Sequence, residues 1–247
     1  MRMLETAGTF ASRALDTLLP PRCYACGAAV AQQGELCGSC WTGLTFITEP
    51  MCRICGYPFD YAMPEESLCG ACHARPPAYD RAKSALVYDD ASRDLVLAFK
   101  RGDRTALADP LGRLAARAGR DLLESAGLIL PVPLHPRRLF ARRFNQAALL
   151  AKAISRQSGV DWSPDLLYRR KNTPSQGGLS HKQRRENMRG AFLVRRRVEG
   201  RHVVLVDDVM TTGATAEACA KALRRAGARS VALVTVTRVV RPAQTTI

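Results

Sequence analysis

The sequence predicts an α/β domain with a largely parallel sheet, preceded by a small cysteine-rich head. Three observations point there. Eight of the nine cysteines fall between Cys23 and Cys72, so the composition changes abruptly just after Cys72. Two short apolar runs, Leu128 to Val132 and Val203 to Val206, have the length of buried strands, and the first ends in Pro131 and Pro133. The second leads through a tight small-residue loop into a helical stretch stopped by Gly227, then into a third apolar run, Val231 to Val236, which together read as a β-α-β unit.

From the N-terminus, Phe10, Ala14, Leu15, Leu18 and Leu19 recur at helical spacing, while Arg13 and Asp16 interrupt any signal-peptide core. An amphipathic helix within residues 1–20 is expected to pack on the body of the protein. The head then occupies 21–76 and the α/β domain 77–247. Within that domain Ala85 to Tyr88 reads as a short strand, and Ser92 to Phe99 with Ala106 to Glu124 as helix. Leu128 to Val132 delivers a loop at its end, Phe144 to Ser155 reads as helix, and Arg169 to Gly190 is polar and rich in turn formers. The closing helix spans Thr215 to Ala226.

With 247 residues and 47% hydrophobic content the chain has material for a real core. Nowhere do about 18 apolar residues run together, so a membrane-spanning helix is not expected. The formal net charge is +15. Pro131 to Arg201 alone holds 17 Lys or Arg against four Asp or Glu, a net +13. Such a stretch attracts phosphate groups, whether on a sugar or along a nucleic acid.

The cysteines form four C-x₂-C pairs: Cys23/Cys26, Cys37/Cys40, Cys52/Cys55 and Cys69/Cys72. That spacing aims two thiolates from one tight turn at a single metal, and two pairs complete a tetrahedral Zn²⁺ site. The simplest assignment places Cys23, Cys26, Cys37 and Cys40 on one zinc and Cys52, Cys55, Cys69 and Cys72 on another. A cross-braced arrangement, first pair with third, satisfies the same spacing. Four thiolates leave no open coordination position, so the metals are expected to be structural or recruiting rather than catalytic. The absence of a secretory signal, with no cysteine pairs elsewhere, favours zinc over disulfides and a reducing, cytoplasmic setting. His73 is expected at the surface and Cys219 as a small buried hydrophobe.

The segment most specific for chemistry runs from Val203 to Thr215. Four aliphatics lead to Asp207 and Asp208, then to the loop Thr211-Thr212-Gly213-Ala214-Thr215 opening a helix. Such a loop presents backbone N–H groups and hydroxyls to a phosphate where the helix dipole favours an anion. Two carboxylates at the strand's end suit sugar hydroxyls or a hydrated Mg²⁺. A phosphorylated sugar fits both.

These residues resemble the 5-phosphoribosyl-1-pyrophosphate (PRPP) motif of type I phosphoribosyltransferases. The resemblance implies that Asp207 and Asp208 engage the ribose hydroxyls, directly or through Mg²⁺, and that Thr211, Thr212, Gly213, Ala214 and Thr215 hold the 5-phosphate. In that family a loop near the second strand binds pyrophosphate, and Leu134, His135, Arg137 and Arg138 occupy the matching place. The turn-rich stretch from Arg169 to Arg189 matches the mobile hood, with Lys171, Lys182, Arg184 and Arg185 facing the leaving pyrophosphate. The reaction implied is pentosyl transfer at ribose C1 with no covalent nucleophile from the protein. His135 serves either as a general acid or as an orienter of its loop.

With the cysteine head, Pro131 to Arg138, Phe144-Asn145-Gln146, Gln176 to Ser180 and Arg185 to Asn187 added, the chain from Cys23 to Arg238 resembles the ComF family. That likeness implies work on imported single-stranded DNA, in competence and transformation or in DNA utilisation, with a helicase or other DNA-processing protein as partner. The acceptor base stays open. So does a second role, a catalytically inactive PRPP fold that grips single-stranded DNA and protein partners through its basic surface and zinc head. Arg143 departs from the family pattern, which has Gly before Phe-Asn-Gln.

Overall fold

The computed structural model describes residues 20–32, 34–100, 104–171 and 190–240. The helix expected within 1–20 therefore lies outside the described residues, Pro20 apart, as do Lys182, Arg184 and Arg185. Elements in chain order are α1 (Gly38–Thr42), α2 (Gly70–Ala74), β1 (Arg81–Val87), α3 (Asp90–Lys100), a 3₁₀ turn (Thr105–Leu107), α4 (Ala108–Ala118), α5 (Arg120–Glu124) and β2 (Leu128–Pro131). Then come α6 (Pro136–Arg142), α7 (Gln146–Ser158), β3 (Leu167–Arg169), β4 (Phe192–Val194), β5 (His202–Met210), α8 (Ala214–Arg225) and β6 (Ser230–Arg238).

The sheet has the order β1-β6-β5-β2 with every pairing parallel. Its central strands are aliphatic on both faces, as a sheet covered on both sides requires. Val203 and Leu205 pack with Cys219, Ala220 and Leu223 of α8 on one face. Val204 and Val206 pack with Phe99, Leu111, Leu150 and Ile154 of α3, α4 and α7 on the other. A separate antiparallel pair, β3 with β4, stands beside this sheet.

The cysteine head is bonded to the α/β body by more than sequence continuity. Ala82 N donates to Ile54 O at 2.7 Å, and Ile47 N donates to Ala85 O at 2.9 Å. Cys52, Cys55 and Cys72 belong to the same apolar cluster as Leu205 and Leu233. Gly56 sits where its knuckle meets β1: its φ is +65°, and a Cβ there would fall 2.5 Å from Ala82 O. Only glycine meets both demands.

Several boundaries differ from the sequence expectation for physical reasons. The strand expected over Val203 to Val206 continues to Met210, because β6 carries on pairing through Asp207↔Thr235, Val209↔Thr237 and Met210↔Arg238. Asp207 and Asp208 thus lie within β5. The helix expected over Ala106 to Glu124 breaks at Gly119, where a Cβ would come 2.5 Å from a methyl of Val234 on the sheet. Phe144 stays outside α7, since Asn145 caps that helix by accepting from Ala147 N at 3.1 Å. Arg169, read as the start of a turn-rich stretch, ends strand β3.

Candidate functional site

The end of β5 delivers two carboxylates to opposite faces of the sheet, as successive strand residues must. Asp208 meets α3, where Lys100 Nζ stands 2.9 Å from its Oδ2. Asp207 accepts from Asp208 N at 2.9 Å. Burial, then the neighbouring Asp208 charge, raises the Asp207 carboxyl well above the ordinary carboxylate range.

Both acids border one cleft of about 200 Å³, walled also by Leu134, Arg138, Gln146, Arg169 and Thr215. The loop after β2 is held in place from below. Asn145 Nδ2 donates to Val132 O at 3.1 Å while its Oδ1 caps α7, so one side chain ties the loop to the helix that backs it. Arg169 is 7% exposed. Burial and the nearby Arg138 charge push its guanidinium down from its ordinary value. Two cations beside one cleft repel each other, and an anion between them relieves that repulsion.

Beyond the acids, Thr211, Gly213, Ala214 and Thr215 border a small depression shared with Asp207. Gly213 turns the chain with φ +73° as the residue preceding α8, and Thr212 Oγ1 accepts from Ala214 N at 3.4 Å. The structure thus brings Asp207, Asp208, Leu134, Arg138 and Thr215 to one place, with Thr211, Gly213 and Ala214 adjoining. Thr212 faces a larger cavity of about 590 Å³, between the loop and the second cysteine cluster.

Other candidates fall elsewhere. Arg137 is exposed and is not a wall of the cleft. His135 caps α6, its Nδ1 accepting from Arg137 N at 3.3 Å. Lys171 is exposed at the margin of the described residues, its Nζ close to Gly190. Sequence reading missed Lys100, Gln146 and Arg169 as members of the site. Lys100 ends an amphipathic helix whose register with Asp208 only the fold sets, and Arg169 reads locally as one more basic residue among many.

The eight cysteines form two groups in the sequential arrangement, Cys23/Cys26/Cys37/Cys40 and Cys52/Cys55/Cys69/Cys72, with the sulfurs of each group within 4.8 Å of one another. Cys26 and Cys37 sulfurs are 3.5 Å apart, and those of Cys55 and Cys69 are 3.6 Å apart. A tetrahedron with Zn–S bonds of about 2.3 Å has edges of about 3.8 Å, so both groups fit Zn²⁺, whereas a disulfide needs about 2.05 Å. The crowded sulfurs share protons unevenly. The Ser39 hydroxyl, with neighbouring thiols and backbone, brings Cys37 down to about 6, while burial and the adjoining thiols push Cys40 up to about 12. His73 is exposed and belongs to neither group, and Cys219 is buried in α8.

No helix among the described residues is long and apolar enough to cross a membrane. The double zinc ribbon domain family matches residues 14–73, and the phosphoribosyl transferase domain family matches residues 145–245. The chain is 32% identical to the DNA utilization protein YhgH of Escherichia coli K12, over 86% of this chain and 95% of that one. It is 32% identical to competence protein F of Haemophilus influenzae, over 85% and 93% respectively. To competence protein ComFC of Bacillus subtilis it is 28% identical, over 83% and 84%.

Proposed function

The chain belongs to the ComF family of double-zinc-ribbon, phosphoribosyltransferase-domain proteins, and from that premise we propose that it binds PRPP with Mg²⁺ and acts in the cytoplasm on imported single-stranded DNA. The observation that carries this reading is the shared border of Asp207, Asp208, Arg138, Arg169 and Thr215 around one cleft, with the Thr211–Thr215 loop adjoining. Carboxylates for a sugar's hydroxyls, guanidiniums for a diphosphate and a helix-opening loop for a monophosphate are the complement of one phosphorylated, diphosphate-bearing sugar.

The residues suit the cation as well. A carboxyl pair whose buried member resists ionisation calls for positive charge, and Lys100 already supplies one at Asp208. When bound, Mg²⁺ adds neutralisation of the leaving diphosphate. For pentosyl transfer, an acceptor nitrogen forms its bond to C1 as the C1–O bond breaks, and the electron pair leaves with the pyrophosphate. Arg138 and Arg169 hold the charge that develops there, and Asp207 and Asp208 keep the ribose in place. Lys171, Lys182, Arg184 and Arg185 are proposed to close over the departing group and exclude water. Exposed Arg137 is proposed to contribute to the long-range attraction of the anion. The unit boundaries proposed are residues 21–76 for the zinc head and 77–247 for the catalytic fold.

Hydrogen exchange tests this reading. Adding PRPP and Mg²⁺ should slow exchange at the Thr211 to Thr215 amides at least tenfold in the parent and not in Asp207→Asn/Asp208→Asn; unprotected loop amides in the parent would refute it.

One observation favours a second reading, a PRPP fold that serves mainly to grip single-stranded DNA. Helix α6 buries none of its residues, and Phe140 is 89% exposed between Arg137, Arg138, Arg142 and Arg143. An aromatic face among arginines is the chemistry that stacks a base and neutralises its phosphates. Oligonucleotide affinity should then fall steeply with salt and drop in Phe140→Ala.

A further inference from the structure

Arg238, the last residue of β6, joins the second cysteine cluster to the phosphate loop. Its Nη1 donates to Cys55 O at 2.5 Å and lies 3.0 Å from Met210 Sδ. Its Nη2 lies 3.4 Å from Cys55 Sγ, and its guanidinium stacks 5.4 Å from the Tyr57 ring centroid. The residue is 6% exposed, and among the described residues no carboxylate pairs with it. A guanidinium buried without a counter-ion is strongly unfavourable. Four thiolates on one divalent zinc carry a net charge of −2, and one of those sulfurs faces Nη2.

Met210 carries the contact onward. It immediately precedes Thr211 and pairs with Arg238 across the sheet, with Val239 N donating to Met210 O at 2.9 Å. The Met210 methyl and the Tyr79 hydroxyl both sit beneath Gly213, 3.1 and 3.0 Å from where a Cβ would be. An independent link runs from Arg75, three residues after Cys72, to Glu217 in the first turn of α8, at 3.5 Å. Among the described residues the first cluster shows no such path. Its neighbour Tyr24 instead packs toward the opposite face of the sheet, where Arg104 donates to Tyr24 O.

We infer that Arg238 is a positioning residue for the Thr211–Thr215 loop, held by the zinc-thiolate charge of the second cluster, so that loading of that zinc and ligand binding at the loop strengthen each other. Losing the metal removes the net charge of the loaded cluster from beside Nη2, and Arg238 then releases Met210 and the turn above it. The inference rests on the phosphate-loop reading proposed above. Coupling of this kind is reciprocal: the factor by which zinc tightens the ligand equals the factor by which the ligand tightens zinc.

The test follows zinc release from the fully loaded protein into a chromogenic chelator, with and without PRPP and Mg²⁺. Cys26→Ser, which removes a ligand of the first cluster only, identifies the phase that belongs to the second. Ligand should slow that phase by roughly fivefold or more and leave the other unchanged. In Arg238→Met the phase should become insensitive to ligand. Arg238→Lys keeps the charge but cannot span Cys55 and Met210, and should restore only part of the effect. If PRPP binds the parent and neither zinc phase responds, or if Arg238→Met responds as the parent does, the inference is overturned and the pocket reading stands. If zinc-loaded parent binds no PRPP, both fall. The parent experiment needs no variant to fold.

Discussion

Asp207 shows at the scale of one residue how a buried carboxyl opposes stability. Its carboxyl is raised by burial and by Asp208, so between about pH 4, where an unfolded Asp titrates, and the raised folded value, the folded chain keeps a proton the unfolded chain has lost. Stability on this account is fully present below that window and falls as pH rises through it. Asp207→Asn keeps an acceptor for Asp208 N and has nothing to ionise. Without ligand, the variant should therefore be more stable than the parent at pH 7, with the difference vanishing near pH 3, as denaturant titrations across pH would show. A variant less stable than the parent at pH 7 would mean that Lys100 and the backbone, rather than desolvation, govern this carboxyl. The motif itself was legible in sequence because strand, acids and loop are contiguous. Lys100 and Arg169 were not, because they arrive from α3 and β3, and no local pattern marks a residue whose importance comes from across the sheet.

At the scale of an element, α6 and its exit bear on one departure from the family pattern, Arg143. Arg143 adopts φ +67° as the residue closing α6, a left-handed conformation that glycine reaches without cost and that arginine does not. The sequence marked the position by its missing glycine, and the backbone keeps the glycine-like shape regardless. Arg143→Gly should raise stability by about 0.5–1 kcal/mol, seen as a higher denaturant midpoint with an unchanged slope. If arginine is retained there for its charge, the same variant should bind single-stranded oligonucleotides more weakly at low salt. Helices α3, α4, α7 and α8 were legible from their apolar spacing. The helices α1, α2 and α6 were not, since five to seven residues with little or no buried face leave no periodic signal. Strands β3 and β4, three residues each, are fixed by pairing with each other across more than twenty residues of chain.

At the scale of the whole molecule, the parallel sheet and the two Cys₄ groups follow from patterns visible in the sequence, but the relation between them does not. Composition changes abruptly after Cys72 and marks a boundary in the sequence. The fold places Cys52, Cys55 and Cys72 in the core that supports β5, and Gly56 is pressed against β1. Cysteine spacing reports which residues meet a metal and says nothing of what the loaded site leans on. The strong basic stretch, net +13, likewise names an anionic partner class without naming its surface. The central claim, that the site at the end of β5 holds PRPP with Mg²⁺, is tested most directly by calorimetric titration of the zinc-loaded protein, beside Asp207→Asn/Asp208→Asn. Saturable binding at about one ligand per chain, weakened at least tenfold in the double variant, is the result expected. Absence of heat and of binding in the parent, or equal affinity in parent and variant, would contradict it.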